Sequence, residues 1–262
     1  MASQALSARH ILNESSEFYA KNGYVIAKQV FGAPLLEALK SSLRSVLAKN
    51  GHNGSASDDQ RTVEELILAR ESEAHSLVYN ASQSVGSSAA AYQLLGKSGI
   101  FDVVTEATGF ELRNLHLTPM YLIVQLPNDE RFDYVWHQDR AYYPWSNDMV
   151  TLWFPVNRAT TRDTGTIGVI PGSHQSGLRS ADTSFRHGFF RQMESTTEQR
   201  ETDQEFFMEL EASDCCVING DTVHRSVANR ASSPRVAGVV RMVNIGNLTA
   251  YERERFYCVH KS

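Results

Sequence analysis

The chain of 262 residues is short of several things, and each shortage excludes a class of protein. With 3 Cys it has no disulfide framework. Adjacent Cys215 and Cys216 lie in an apolar run and read as small buried hydrophobes rather than a strained vicinal disulfide. No apolar run is long enough to span a bilayer. The opening stretch MASQALSARHILNESSEFY lacks the apolar core of a secretory signal. Positive charge is not in excess either. Against 25 Lys and Arg stand 30 Asp and Glu, a net charge of -5, which is not the footprint of a nucleic-acid binder. The expectation is a cytoplasmic protein with neither nucleic acid nor membrane as partner. A hydrophobic fraction of 42% supplies a substantial core.

The texture changes along the chain. Glu17 to Ala20 opens a short helix that Asn22-Gly23 stops, and Tyr24–Ala27 reads as a strand. Pro34 starts a helix whose Leu36, Leu39, Leu43 and Val46 recur at spacings of three and four, and Asn50-Gly51 closes it. His52 to Asp59 reads as a loop, Val63 to Leu77 as a second, more exposed helix and Ala89 to Leu95 as a third. From about Leu112, short apolar runs bounded by Gly, Pro, Asn and Asp predict strands: 121–126, 150–156, 166–170, 206–210, 215–218 and 236–243. This pattern predicts one domain over 1–262, with a helical buttress mainly within 1–110 on a β-sandwich or barrel core over about 111–245. The polar segment from Ser173 to Glu205 reads as a lid, a binding loop or disorder.

The chemistry concentrates in His137-Gln138-Asp139, with His224 and Arg235 far downstream. Residues i and i+2 of a strand share a face, so His137 and Asp139 can hold one ion together, with Gln138 pointing elsewhere. His224, after the Gly220-Asp221-Thr222-Val223 turn, would complete two His and one carboxylate. That mixed N/O set suits non-haem Fe(II) with open positions better than a structural zinc site; a zinc-dependent hydrolase is the rival at this point. Arg235 adds a fixed cation able to hold a co-substrate carboxylate. His116, His187 and His260 lack partner spacing for a metal, and His174 is not expected to be a ligand.

These residues lie in stretches that resemble the phytanoyl-CoA dioxygenase family. Trp136 to Asp139 matches its metal motif, and Val150 to Val156 looks like its next strand. Gly165 to His174 is similar to its Pro-Gly-Ser-His signature, with Thr164 where the family often has Asn. Gly220-Asp221, His224, Asn229-Arg230 and Arg235 resemble its distal His segment, and Phe18 to Val25 its opening. The likeness is weak over about 50–110 and across 175–205. It implies a mainly β fold with flanking α-helices, a double-stranded β-helix (jelly roll, cupin-like). It also implies Fe(II) on His137, Asp139 and His224, and 2-oxoglutarate with its far carboxylate on Arg235. Gln138, Ser226 and Trp153 would line the co-substrate pocket, although Trp153 could equally be a core aromatic.

The implied reaction takes O2 and 2-oxoglutarate, releases succinate and CO2, and hydroxylates a C–H bond of a small molecule. Desaturation, epoxidation or rearrangement are variants, an acyl-CoA or carrier-tethered substrate is an alternative, and a non-catalytic metal-binding jelly roll is a reading of another class. Asp139 is intact, whereas halogenating relatives usually replace this carboxylate. Candidate substrate residues are Arg140, Tyr142, Tyr143 and Trp145 after the metal motif. In the 173–205 segment, Arg179, Arg186, His187 and Arg191 could clamp an anion, although a solvated charged loop is the plainer reading.

Overall fold

The computed structural model describes residues 15–51, 58–131, 133–143, 147–186 and 190–248. Helix α1 (Ser15–Asn22) ends at Gly23, where φ is +77° and a Cβ would come within 2.3 Å of Thr222 Oγ1, so both backbone and space call for glycine. Strand β1 (Tyr24–Ala27) follows. Helix α2 (Ala33–Lys49) has Pro34 in its first turn and buries Leu36, Leu39, Leu43 and Leu47, the stripe that the leucine spacing dictates. Of the loop expected over 52–59, residues 52–57 lie outside the described residues, and Asp58–Gln60 is a 3-10 turn.

The single helix expected over 63–77 is two. Helix α3 (Val63–Glu73) begins with a capping box, in which Thr62 Oγ1 accepts from the Glu65 N–H and the Glu65 carboxylate accepts from the Thr62 N–H. Ala74 is extended (φ -164°, ψ 126°) and breaks the run before α4 (His75–Gly86). Nor is α3 exposed throughout, since Leu66 and Ile67 are fully buried. Helices α5 (Ala89–Lys97) and α6 (Ile100–Thr108) complete the helical layer. Among the described residues no helix is long and apolar enough to cross a membrane.

The remaining strands are β2 (Leu115–Leu117), β3 (Tyr121–Gln125), β4 (Met149–Pro155), β5 (Thr164–Val169), β6 (Ala181–Arg186), β7 (Phe190–Ser195), β8 (Phe206–Phe207), β9 (Cys215–Asn219), β10 (His224–Asn229) and β11 (Arg235–Asn244). A six-stranded sheet runs β1-β9-β4-β11-β2, with β3 also paired to β11. A second sheet runs β10-β5-β8. The two make a jelly roll whose hydrogen bonding does not close into a barrel. The strand expected over 206–210 is only Phe206–Phe207, although Leu210 makes a bridge to Thr160. The 173–205 segment carries the β6–β7 hairpin and the short helix α7 (Gln199–Thr202).

Strand alternation sorts the core into two layers. Val150, Leu152 and Phe154 of β4, with Val240 and Met242 of β11, pack with the helices. Trp153, Ala237 and Val239 pack with Ile167 and Val169 of the second sheet. Each large apolar side chain so buried stabilises by about 1.5–3 kcal/mol. Cys215 and Cys216 divide the same way, one in each layer, and both thiols are free. Gly86 lets α4 lie close to the chain entering β3, since a Cβ there would come within 2.0 Å of the Met120 carbonyl oxygen. Helix α4 is thereby held beside β3, on the wall of the space that contains the functional residues.

Candidate active site

His137 and His224 face each other across an isolated antiparallel bridge, each N–H donating to the other's carbonyl at 2.9 Å. Directly opposed residues project to the same side, and the two imidazole centroids are 4.1 Å apart. Each ring is oriented by nearby backbone. His137 Nδ1 donates to the Val135 carbonyl at 2.7 Å and His224 Nδ1 to that of Thr222 at 2.9 Å. A neutral ring bonded this way leaves Nε2 without hydrogen, the tautomer that a metal ligand needs.

Asp139 is not on a strand with His137, as the i and i+2 reading expects. After the bridge at His137 and extended Gln138, it opens a 3-10 helix (Asp139–Tyr142). Its carboxylate oxygens stand 3.9 Å from His137 Nε2 and 3.7 Å from His224 Nε2. All three residues are buried, and one ligand atom from each lies within 4.8 Å of the others, close enough to share an ion.

The carboxylate is held by two side chains that the motif does not include. Arg241 donates to Oδ1 from Nε (3.1 Å) and Nη2 (2.7 Å), and the Thr151 hydroxyl donates to Oδ2. Burial opposes the charge on Asp139, but the Arg241 guanidinium, through its charge and its hydrogen bonds, outweighs it and holds the carboxyl well below the usual carboxylate range. Burial pushes the His137 imidazole down to about 3, which keeps it neutral. The sequence does carry a signal for Arg241. It stands six positions after Arg235 on one strand, hence on the same face, and it is a cation inside an otherwise apolar run.

Arg235 begins β11 and is 2% exposed. Its Nη2 donates to Gln125 Oε1 at 2.6 Å, and its guanidinium lies 5.4 Å from the Trp153 ring centroid. Nε and Nη1 are buried without a hydrogen-bond partner. Burial lowers its pKa to about 10, against the attraction of Asp133. Unanswered buried donors on a cation are expensive, and an anion at this position would answer them.

One cavity of about 690 Å³ joins these parts, with His137, Asp139, His224, Arg235 and Arg241 all on its wall. Of the other residues expected from sequence, Ser226, Trp153, Tyr142 and Tyr143 also line it. Gln138 is not among its lining residues. Its buried amide donates to the Gly177 and Asp221 carbonyls (2.9 and 2.6 Å) and accepts from the Arg179 N–H (2.8 Å), so it clamps loops instead. Arg140, expected to meet substrate, pairs with Asp221 and donates to Asn147 at 2.8 Å, and it is not on the cavity wall. The Arg179 guanidinium is engaged by Glu201 at 2.7 Å. Arg186 and Arg191 belong to the β6–β7 hairpin, with only their backbone described; Trp145, His187 and His260 lie outside the described residues. His174 contacts the Ala20 carbonyl at 3.0 Å and stands apart from the triad.

Fold and site together define a jelly-roll protein with a two-His, one-carboxylate centre and a buried arginine in the same cavity, an arrangement suited to non-haem iron chemistry. The model of the phytanoyl-CoA dioxygenase family matches residues 19–237, and the chain belongs to that family. Similar solved structures include the non-heme monooxygenase ThoJ (15% identity, 87% of this chain and 76% of that one, TM-score 0.61). The non-heme alpha-ketoglutarate-dependent epimerase SnoN from nogalamycin biosynthesis is similar at 19% identity, over 90% of this chain and 82% of that one (TM-score 0.60). EvdO2 from Micromonospora carbonacea var. aurantiaca, solved with 2-oxoglutarate, is similar at 15% identity, over 88% of this chain and 90% of that one (TM-score 0.59). The protein is thus an enzyme of the Fe/2-oxoglutarate-dependent oxygenase family, and His137, Asp139 and His224 could hold its metal.

Proposed function

We propose that the protein is an Fe(II)- and 2-oxoglutarate-dependent hydroxylase of a small molecule, with His137, Asp139 and His224 as metal ligands and Arg235 as the co-substrate anchor. The observation that carries this reading is the pair of unpartnered buried donors, Arg235 Nε and Nη1, in the same cavity as the triad. A carboxylate oxygen brought against either atom answers that donor. Iron with 2-oxoglutarate supplies O2 activation coupled to loss of CO2, leaving succinate.

The chain's own residues do the rest. The Nδ1 hydrogen bonds of His137 and His224 direct Nε2 toward the carboxylate. Arg241 and Thr151 keep Asp139 ionised and oriented. Trp153, Ile167 and Val239 wall the cavity with apolar surface that excludes water. Ser226 lines the cavity while its Oγ accepts from the Tyr134 N–H at 3.0 Å.

The test is succinate release by purified protein with Fe(II), ascorbate, O2 and 2-oxoglutarate. Iron-dependent succinate, increased by substrate and matched by a product heavier by one oxygen atom, supports hydroxylation. A product of unchanged mass, or lighter by two hydrogens, would replace it with rearrangement or desaturation. No succinate under any condition would leave a binding protein.

A further inference from the structure

We propose that the substrate is an uncharged, ring-bearing molecule held among tyrosines, and not an acyl-CoA or another anion; this rests on the reading of the site just given. The first reason is the state of the charges on the cavity wall. Arg241 is engaged by Asp139, and Arg225 by Glu205 through two contacts of 2.8 and 2.9 Å. The Glu71 carboxylate contacts His75 Nδ1 at 2.8 Å and Arg131 at 3.3 Å. Arg235 is the co-substrate's anchor. Among the described lining residues, every other arginine is already matched by a carboxylate. A phosphate or second carboxylate brought here would be desolvated without compensation.

The second reason is the aromatic character of the wall. Five tyrosines line it: Tyr79 from α4, Tyr121 from β3, and Tyr134, Tyr142 and Tyr143 from the segment around the metal motif. Two of them lie against the His137 ring. Tyr134 is 5.1 Å from its centroid, and Tyr142 meets the same imidazole edge-on at 6.1 Å. The Tyr143 ring centroid is 5.4 Å from the Arg241 guanidinium. Tyr79 is 55% exposed, a large aromatic left open on a cavity wall rather than buried in the core. Val78, Val124 and Leu126 add apolar surface beside the rings. Tyrosine rings offer broad faces for stacking and hydroxyls for neutral polar substituents, at small loss of side-chain freedom. The volume of about 690 Å³ is in the range that encloses a drug-sized ligand.

Helix α4 supplies part of this wall. Its start is fixed by the break at Ala74, and its end by the close approach of Gly86 to Met120, which leaves Tyr79 and Val78 on the cavity beside β3. Substrate selection is thereby assigned in part to the helical layer, apart from the elements that carry the metal ligands.

The experiment uses the full chain loaded with Zn(II), a redox-inert stand-in, and 2-oxoglutarate. Binding of flavone, myristoyl-CoA and benzyltrimethylammonium is followed by saturation-transfer NMR and isothermal titration. Flavone should bind saturably, and Tyr79→Ala and Tyr142→Ala should each weaken it about fivefold or more; Tyr79→Ala, on the helix away from the metal ligands, should leave 2-oxoglutarate affinity unchanged. Because Tyr79 is exposed, its truncation leaves the fold intact. Flavone binding that is absent or indifferent to both variants overturns the proposal, as does tighter binding of myristoyl-CoA or of the quaternary ammonium. Titration of 2-oxoglutarate alone separates the two readings. If it binds and flavone does not, the substrate class fails by itself; if flavone binds and 2-oxoglutarate does not, the co-substrate reading fails.

Discussion

Arg235 and Arg241 share one face of one strand, yet their surroundings give them opposite tasks. Arg241 is matched by Asp139, so its removal leaves a buried carboxylate short of its main partner. Arg241→Met should weaken Fe(II) binding by about 10–100-fold, and Arg241→Lys should recover part of it, read by metal titration. Unchanged metal affinity in both would reduce Arg241 to a packing residue. Arg235 carries two unanswered donor atoms, so Arg235→Met should raise the Kd for 2-oxoglutarate by about 100-fold, as expected when a buried charge-assisted contact is lost. In the ligand-free protein the same change should be neutral or stabilising by about 1–3 kcal/mol in urea denaturation, because it removes a buried charge. A large loss of stability would mean that the guanidinium is satisfied in solution. At this scale the sequence is legible where chemistry and spacing coincide: His137, Asp139, His224 and Arg235, singled out from spacing, come to one cavity wall. Gln138 and Arg140 sit beside the right motif, but their partners Gly177 and Asp221 come from distant turns that spacing does not reveal.

Elements set the distances that these residues need. Gly86→Val should destabilise the protein by about 1–3 kcal/mol through overpacking against Met120, and it should weaken flavone binding more than metal binding. Equal losses of both would mean that α4 and the metal centre move as one unit. Elsewhere, Asp214 ties the start of β9 to the segment after β1. Its carboxylate accepts from Lys28 Nζ (2.8 Å), the Gln29 N–H (2.9 Å) and the Glu211 N–H (3.1 Å). Burial alone would raise its pKa, but Lys28 and the two backbone donors outweigh burial and lower it. A depressed folded-state pKa stabilises above the unfolded value, about 3.9, and that contribution is lost as pH falls through the folded one. Asp214→Ala should therefore cost about 1–3 kcal/mol at pH 7, and the difference from the native protein should shrink as pH falls from about 5 to about 2. A difference independent of pH would assign the loss to packing. The helix boundaries show the limits of local pattern. The Thr62–Glu65 capping box is written in the sequence, whereas the break at Ala74 has no Gly or Pro to announce it.

For the whole molecule, runs of apolar residues make the sheets legible. Apart from Arg241, Val236 to Val243 is apolar on both faces because helices cover one and the second sheet the other. Short elements such as β2, and the β6–β7 hairpin in a polar segment, carry no such run, and the pattern gives no sign of them. If metal and co-substrate meet in the cavity between triad and arginine, an anaerobic titration of the metal-free protein with Fe(II) and then 2-oxoglutarate should show it most directly, through a visible charge-transfer band. The expected band needs both additions, disappears in His224→Ala and demands far more 2-oxoglutarate in Arg235→Met. A folded protein that gives no band, or a band indifferent to those two substitutions, would contradict this assignment of metal and co-substrate.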